Sequence, residues 1–163
     1  MTEDKEDYEV LKEAYDKAKK KYNLSPNFEE LDKEFEVSII DGDRERFIVE
    51  YVRRAICSRI HKMINYLTPV LHPQPSSLHS MIESKFFKKE ETDKLFEFYK
   101  KLHHWLHKGL LKSFQSEEEI AKFINEIWEI WPEIKDKVII YMSKIVTGWE
   151  KQEKEDLDNG YLG

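Results

Sequence analysis

The sequence predicts an all-α protein, a single-domain bundle of about six to seven helices. Apolar residues recur at intervals of three and four along most of the 163 residues, which is the period of a helix with one buried face. No run that alternates apolar and polar residues has both the length and the boundaries of a strand. Hydrophobic residues make up 40% of the chain, which is enough for a packed core.

The first quarter of the chain predicts two helices and a linker. Apolar side chains spaced by three and four predict an amphipathic helix over about residues 3–22. Ser25 is a cap residue, and Pro26 suits the first turn of a helix because its missing N–H has no intrahelical partner there. The pair therefore predicts a second helix that ends near Phe35. Residues 36–40 predict an extended linker because a turn signal follows them.

The middle of the chain predicts two long helices separated by a loop. An apolar stripe predicts a largely buried helix over residues 43–67. Three of the five prolines fall within residues 68–77, and proline both lacks an N–H donor and restrains the residue before it. We therefore expect a Pro-rich loop there. A short helix near residues 77–86 and a long one over residues 89–114 should follow.

The last third predicts one more helical region. Ser116 and Glu119 have the spacing of a capping box, so a helix should begin there. Its apolar stripe continues past Pro132, which predicts either a kink or a break between two abutting helices. We expect one helical domain over residues 1–152 and a flexible tail over residues 153–163.

The composition favours a soluble, cytoplasmic protein. The longest apolar run is the five residues Val138–Met142, too short to cross a bilayer, so we expect no membrane partner. The first residues are acidic and lack a basic and then apolar leader, and the lone Cys57 has no partner for an intramolecular disulfide. The 22 Lys and 23 Glu resemble a thermophile composition.

Charge is segregated along the chain. Residues 43–115 carry 14 basic and 8 acidic groups, a net +6, whereas residues 1–42 and residues 116–163 each carry a net −6. All five arginines lie between Arg44 and Arg59. One interpretation is internal pairing with the acidic terminal helices, and the other is a surface that binds anions or nucleic acid. The candidate residues for such binding are Arg46, Arg53, Arg54, Arg59, His61 and Lys62.

Two side-chain pairs have spacings that could support chemistry. His103 and His107 stand four residues apart on one predicted helix, which is half of a metal site. Cys57 and His61 have the same spacing, which a thiol activated by a base would need, although a lone cysteine among apolar residues is also typical of a core. No complete metal set, catalytic triad or Gly-rich phosphate loop is visible, so we expect no cofactor and assign no catalytic residue.

Arg54 and His61 are separated by six residues, a spacing similar to the Arg and His motif of the helical HEPN ribonucleases. The resemblance covers eight residues and departs from the family pattern at Ala55, where that family commonly has a polar residue. It implies that Arg54 and His61 would form a catalytic pair in a ribonuclease.

Two tryptophans are candidate interface residues. Trp128 and Trp149 belong to the predicted C-terminal helices. If either indole is exposed it marks an interface, and otherwise it belongs to the core.

These observations favour a non-catalytic protein-interaction or assembly module that associates with itself or with a protein partner, as a homodimer through its aromatic-rich C-terminal helices. The alternative is a nucleic-acid-binding protein or ribonuclease that uses the central Arg/His segment. The first hypothesis depends on the absence of recognisable catalytic motifs.

Overall fold

The structure is a computed structural model that describes residues 3–39 and 46–158, without the side chains of residues 3–6 and 155–158. Within these residues it contains six α-helices, one short 3-10 helix and no strand. The predicted all-α class is therefore confirmed. No helix in the described part of the chain combines the length and apolar character needed to cross a membrane.

The helices follow one another with short connections. They are α1 (Glu3–Tyr22), α2 (Phe28–Phe35), α3 (Ile48–Leu71), α4 (Leu78–Ser84), α5 (Lys89–Lys112) and α6 (Glu117–Asp158), and the 3-10 helix spans Val37–Ile39. Several predicted boundaries shift by a few residues: α4 is shorter at both ends, α5 ends two residues earlier, and the predicted start of α3 at residue 43 lies outside the described residues.

Internal contacts divide the chain into two compact units. Unit 1 consists of Met1–Lys62 and His103–Trp131, and unit 2 consists of Met63–Leu102 and Pro132–Gly163. Helices α3, α5 and α6 each contribute residues to both units. This division does not test the single-domain interpretation of residues 1–152, which stays a prediction.

The core of unit 1 is aromatic where α1 and α2 meet. Tyr15 and Phe28 are fully buried, and their ring centroids lie 5.6 Å apart. The Tyr15 hydroxyl donates a hydrogen bond to the carbonyl of Pro26 at 3.0 Å, so the buried phenol has a partner. At the other end of α2 the Phe35 ring packs 4.5 Å from the Trp131 ring. These contacts explain why apolar residues recur every three or four positions in this segment.

The core of unit 2 is built by the later parts of α3, α5 and α6. Leu67, Leu95 and Ile134 are almost completely buried. The rings of Phe98 and Tyr141 lie 5.7 Å apart and connect α5 to α6. These are positions of the apolar stripes that predicted the helices.

The region around α2 differs from the prediction. The helix begins after Asn27, whose N–H donates to Glu30 Oε2 at 3.0 Å, so the start predicted from Ser25 is wrong by two residues. The predicted extended linker is also wrong: Glu36 ends the helix in a left-handed conformation with φ of 58°, and the 3-10 helix follows. Ser38 stabilises this turn because its N–H and hydroxyl both donate to Asp32, at 2.7 and 3.0 Å. Residue 40 lies outside the described residues.

The Pro-rich loop begins later than predicted. Helix α3 continues through Pro69 to Leu71, so the loop covers residues 72–77. The Thr68 hydroxyl donates to the Ile64 carbonyl at 2.8 Å, and Val70 is buried. The helix tolerates Pro69 because few backbone hydrogen bonds are lost at a position so near its end. The hydrogen bond of Thr68 and the burial of Val70 hold the last turn in place.

Helix α6 continues through Pro132 as one element, so the alternative of two abutting helices is wrong. It also extends to Asp158, which overlaps the tail predicted to start at residue 153. Residues 159–163 lie outside the described residues, and the flexibility of the tail stays a prediction.

Candidate functional sites

Arg53 is the most deeply buried member of the predicted anion-binding set. Only 5% of the residue is exposed. Its Nε and Nη2 donate to the two carboxylate oxygens of Glu50 at 2.8 and 2.6 Å, and its Nη1 donates to the carbonyl of Gly109 at 3.1 Å. Burial favours the neutral form of Glu50, but the hydrogen bonds and positive charges of Arg53 and Arg54 outweigh it and hold the pKa of Glu50 below its usual range. These bonds occupy the guanidinium group.

The carbonyl of Gly109 is one of the last four in α5, which have no partner inside the helix. The next three carbonyls accept from the amides of Ser113, Phe114 and Gln115 at 3.0 to 3.2 Å. Arg53 thus completes the C-terminus of α5 with a positive charge, which also suits the negative end of the helix dipole.

The close approach of α3 and α5 at this point requires glycine. A Cβ atom built on Gly109 would lie 2.5 Å from Cys57 Sγ and 2.8 Å from Cζ of Phe123. Both neighbours are buried, so neither has open space to move into. The arrangement of Arg53, Glu50 and Gly109 is therefore a packed structural network.

Cys57 belongs to the same network. Its Sγ lies 3.7 Å from Arg53 Nη1 and the residue is buried, whereas His61 is exposed. Burial raises the pKa of the Cys57 thiol, and the nearby Arg53 offsets this only in part. The thiol is thus protonated at neutral pH, unlike the thiolate that a nucleophile requires.

The remaining members of the predicted basic set lie nearer the surface. Arg54 is exposed, and its Nε donates to Glu50 Oε1 at 3.1 Å while its guanidinium lies 5.2 Å from the centre of the Tyr51 ring. Lys62 Nζ is 3.5 Å from a carboxylate oxygen of Glu36. Together with Arg53, three of the predicted binding residues thus have acidic partners within unit 1. The prediction that this segment binds anions stays a prediction.

Arg46 and Arg59 complete the set. The guanidinium of Arg46 lies 5.1 Å from the centre of the Phe47 ring, and Arg46 lines a shallow cavity of about 300 Å³ together with Lys17 and Lys21. Arg59 is half-buried on α3. The structure gives no contact between the Arg54 and His61 side chains that resemble the HEPN motif.

The two histidines of the predicted half metal site, His103 and His107, stack on each other. The rings of His103 and His107 lie 5.9 Å apart and nearly parallel, and His107 Nδ1 lies 2.7 Å from the carbonyl oxygen of His103, so this nitrogen donates. Burial lowers the pKa of His103, and the charges of His107 and His61 lower it further. No group of three or more metal-binding side chains occurs among the described residues.

Both candidate interface tryptophans are partly buried and pack within their own unit. The ring of Trp128 lies 6.4 Å from that of Phe35 in unit 1. In unit 2 the indole of Trp149 lies 5.6 Å from the Phe86 ring and donates through Nε1 to Glu83 Oε1 at 3.0 Å. Neither residue is exposed, and exposure was the condition for assigning them to an interface. Their role as interface residues stays a prediction.

A different part of α6 exposes apolar side chains. Ile139, Ile140 and Val146 are 53%, 64% and 54% exposed, and Ser143 and Thr147 are exposed on the same side of the helix. We call these five residues the uncharged face of α6. It runs between Asp136 and Glu150, and the two lysines in that interval are half-buried and paired: Lys137 with Glu133, and Lys144 with Glu91.

Sequence reasoning missed this face although a signal was present. The stripe that faces the core uses Ile134, Val138, Ile145 and Trp149. The extra apolar residues Ile139, Ile140 and Val146 fall on the other side of the same helix, where a chain with 37% charged residues normally carries charge.

Comparisons with known proteins leave these sites without a precedent. No protein-family model matches the chain, and no curated protein or solved structure is significantly similar to it.

Proposed function

We propose that this protein is a non-catalytic assembly module in which two copies pair through the uncharged face of α6. The observation that carries the proposal is the exposure of Ile139, Ile140 and Val146 on one helix face that has no exposed charge over about three turns. Burial of apolar surface contributes about 25 cal/mol per Å², and contiguous exposed apolar surface marks interaction sites.

The length of the face suits a helix pair. From Asp136 to Glu150 the helix rises about 21 Å, and the small residues Ser143 and Thr147 allow a second helix to approach. A face of five residues is smaller than a stable protein interface, so we expect a weak dimer that dissociates on dilution.

The two ends of the face carry charges of both signs. Lys135 and Asp136 lie at one end, and Glu150 and Lys151 lie at the other. The uncharged stretch between these ends is the part of the face that a second copy would cover.

The test is the oligomeric state of the full chain by sedimentation velocity and native mass spectrometry over a range of micromolar concentrations. We expect a concentration-dependent dimer for the unmodified protein and a monomer for Ile140→Glu. The matched control is Ile39→Glu, which changes an isoleucine that is 72% exposed in unit 1, and it should leave the dimer intact.

A protein that stays monomeric at high micromolar concentration contradicts the proposal. So does a dimer that survives Ile140→Glu. Extra mass that corresponds to an oligonucleotide would favour the alternative function, nucleic-acid binding through Arg54, Arg59 and Lys62.

A further inference from the structure

Unit 2 contains a cleft between the α4–α5 turn and the second half of α6. Its volume is about 730 Å³, within the range of small-molecule sites. Of the lining residues that the structure describes, four are lysines and none is acidic. We call it the basic cleft, and its lysines are Lys85, Lys88, Lys144 and Lys151.

The floor of the basic cleft is apolar and held in position. It consists of Ile82, Phe86 and Gly148. A Cβ atom on Gly148 would overlap the Phe86 ring, so glycine allows this ring to lie directly against the backbone of α6. The Phe86 ring also lies 5.6 Å from the Trp149 ring, whose indole N–H donates to Glu83. These contacts preform the concave shape before any ligand arrives.

The rim of the cleft carries positive charge that is only partly neutralised. Lys144 pairs with Glu91, and this hydrogen bond lowers the pKa of the Glu91 carboxyl. Among the side chains that the structure describes, no carboxylate forms an ion pair with Lys85, Lys88 or Lys151. Three ammonium groups are thus available at one cleft.

Neutral hydrogen-bond donors add to this charge. Ser143 and Thr147, at the edge of the uncharged face of α6, line the cleft with hydroxyl groups. Lys88 directly precedes α5, and its N–H donates to Glu91 Oε2 at 2.8 Å, so this end of α5 already has a carboxylate partner and its role is to hold the backbone of Lys88 in place. The ammonium and hydroxyl groups favour an anion with several oxygen acceptors.

We propose that the basic cleft binds a small molecule that carries two or more phosphate groups. Lysine ammonium groups bind phosphate oxygens as point charges, and several of them here surround a space large enough for more than one phosphate. The apolar floor of Ile82 and Phe86 would contact an organic part of the ligand. An acidic peptide suits a longer groove, whereas this cleft is bounded by one turn and one helix face.

The experiment titrates the full chain with inorganic pyrophosphate and, separately, with ADP, and follows backbone amide NMR shifts. We expect saturable binding with the largest shifts in residues 82–88 and 143–152, and weaker binding at higher salt because exposed charges are screened. Tighter binding of ADP than of pyrophosphate identifies an organic phosphate ligand, and equal binding identifies the phosphate groups alone as the recognised chemistry.

The variant is Lys85→Gln combined with Lys88→Gln, since both side chains are exposed and lie outside the uncharged face of α6. We expect binding to weaken about tenfold or more, because a hydrogen bond to a charged group contributes at least as much free energy as a tenfold change in affinity. The matched control, Lys20→Gln with Lys33→Gln, removes the same charge from exposed positions in unit 1 and should change the affinity less than about twofold.

The proposal is overturned if neither probe binds saturably in the millimolar range, if the shifts are spread over all lysine-rich surfaces, or if the control weakens binding as much as the cleft variant does. Binding of an acidic peptide without binding of either phosphate probe also overturns it. The same titration of Ile140→Glu keeps the result separate from self-association, because a monomer that still binds pyrophosphate supports the cleft alone.

Discussion

Two positively charged regions of this protein have opposite environments. In unit 1 the guanidinium of Arg53 is buried, and Glu50 and the Gly109 carbonyl occupy its donors. In unit 2 the basic cleft surrounds open space with lysines, of which only Lys144 has a described acidic partner. The first region uses its charge to hold helices together, and the second leaves most of its charge available. Nearness of cations in the sequence therefore does not reveal which of them can bind a ligand.

The largest expected effect comes from Arg53→Ala. The substitution leaves the Gly109 carbonyl without its donor and the poorly exposed Glu50 carboxylate with Arg54 as its remaining partner, so we expect the free energy of unfolding to fall by about 3 kcal/mol. Urea denaturation measures the change. The neighbouring Arg54→Ala removes an exposed cation and should cost less than about 1 kcal/mol. Equal effects of the two variants would contradict the structural role assigned to Arg53.

The two close-packed glycines provide the next comparison. Gly109→Ala forces a methyl group against buried Cys57 and Phe123, and we expect a loss of about 1 to 3 kcal/mol in the free energy of unfolding. Gly148→Ala meets Phe86, which is less deeply buried than Cys57 and Phe123, so the surrounding structure adjusts to the methyl group at a lower cost. Its loss should be smaller, as measured by the same denaturation. A larger loss for Gly148→Ala would show that the cleft floor is the more rigid of the two regions.

A smaller effect is expected in the pH dependence of stability. The pKa of Glu50 is lower in the folded protein than its usual value, so its contribution is present above the unfolded pKa of about 4.3 and is lost as the pH falls through the folded pKa. Glu50→Gln should therefore flatten the acid side of the stability curve. Glu91 in unit 2 also has a lowered pKa, but it is solvated, and Glu91→Gln should change the curve less. Thermal unfolding between pH 2 and pH 7 compares them.

The smallest effect is expected from the cleft lysines. Lys85→Gln combined with Lys88→Gln should change the free energy of unfolding by no more than about 0.5 kcal/mol, because both side chains are exposed and neither has a described ion-pair partner. Denaturation at low and high salt tests this. A substantial gain in stability would mean that the clustered lysines repel one another strongly, and a substantial loss would mean that they are paired.

Local sequence signals predicted the helices well where they agreed with the packing. The spacing of apolar residues identified α1 and the start of α6, and Ser116 marked the beginning of that last helix. The failures occurred where local preference competed with other contacts. Pro69 suggested a loop, yet the buried Leu67 and Val70 keep α3 helical to Leu71. Ser25 suggested a helix start, but its N–H instead donates to Asn125 Oδ1 at 2.8 Å, and the helix begins after Asn27.

The candidate sites were less predictable because they combine distant parts of the chain. The clustering of arginines drew attention to Arg53, but only the contact with Gly109, 56 residues later, makes it a structural residue. Lys85 and Lys88 lie in the basic middle of the sequence, and Lys144 and Lys151 lie in its acidic last third. No local pattern connects them.

The sequence by itself determined the all-α class, because helical periodicity depends on residues three and four positions apart. It also indicated a bundle with little local preference for strands. Only the tertiary structure decided which charges are buried, which are paired and which surround the basic cleft, and that Ile139, Ile140 and Val146 face outward. The physical reason is that burial and electrostatics depend on neighbours in space, and those neighbours are supplied by helices far apart in the chain.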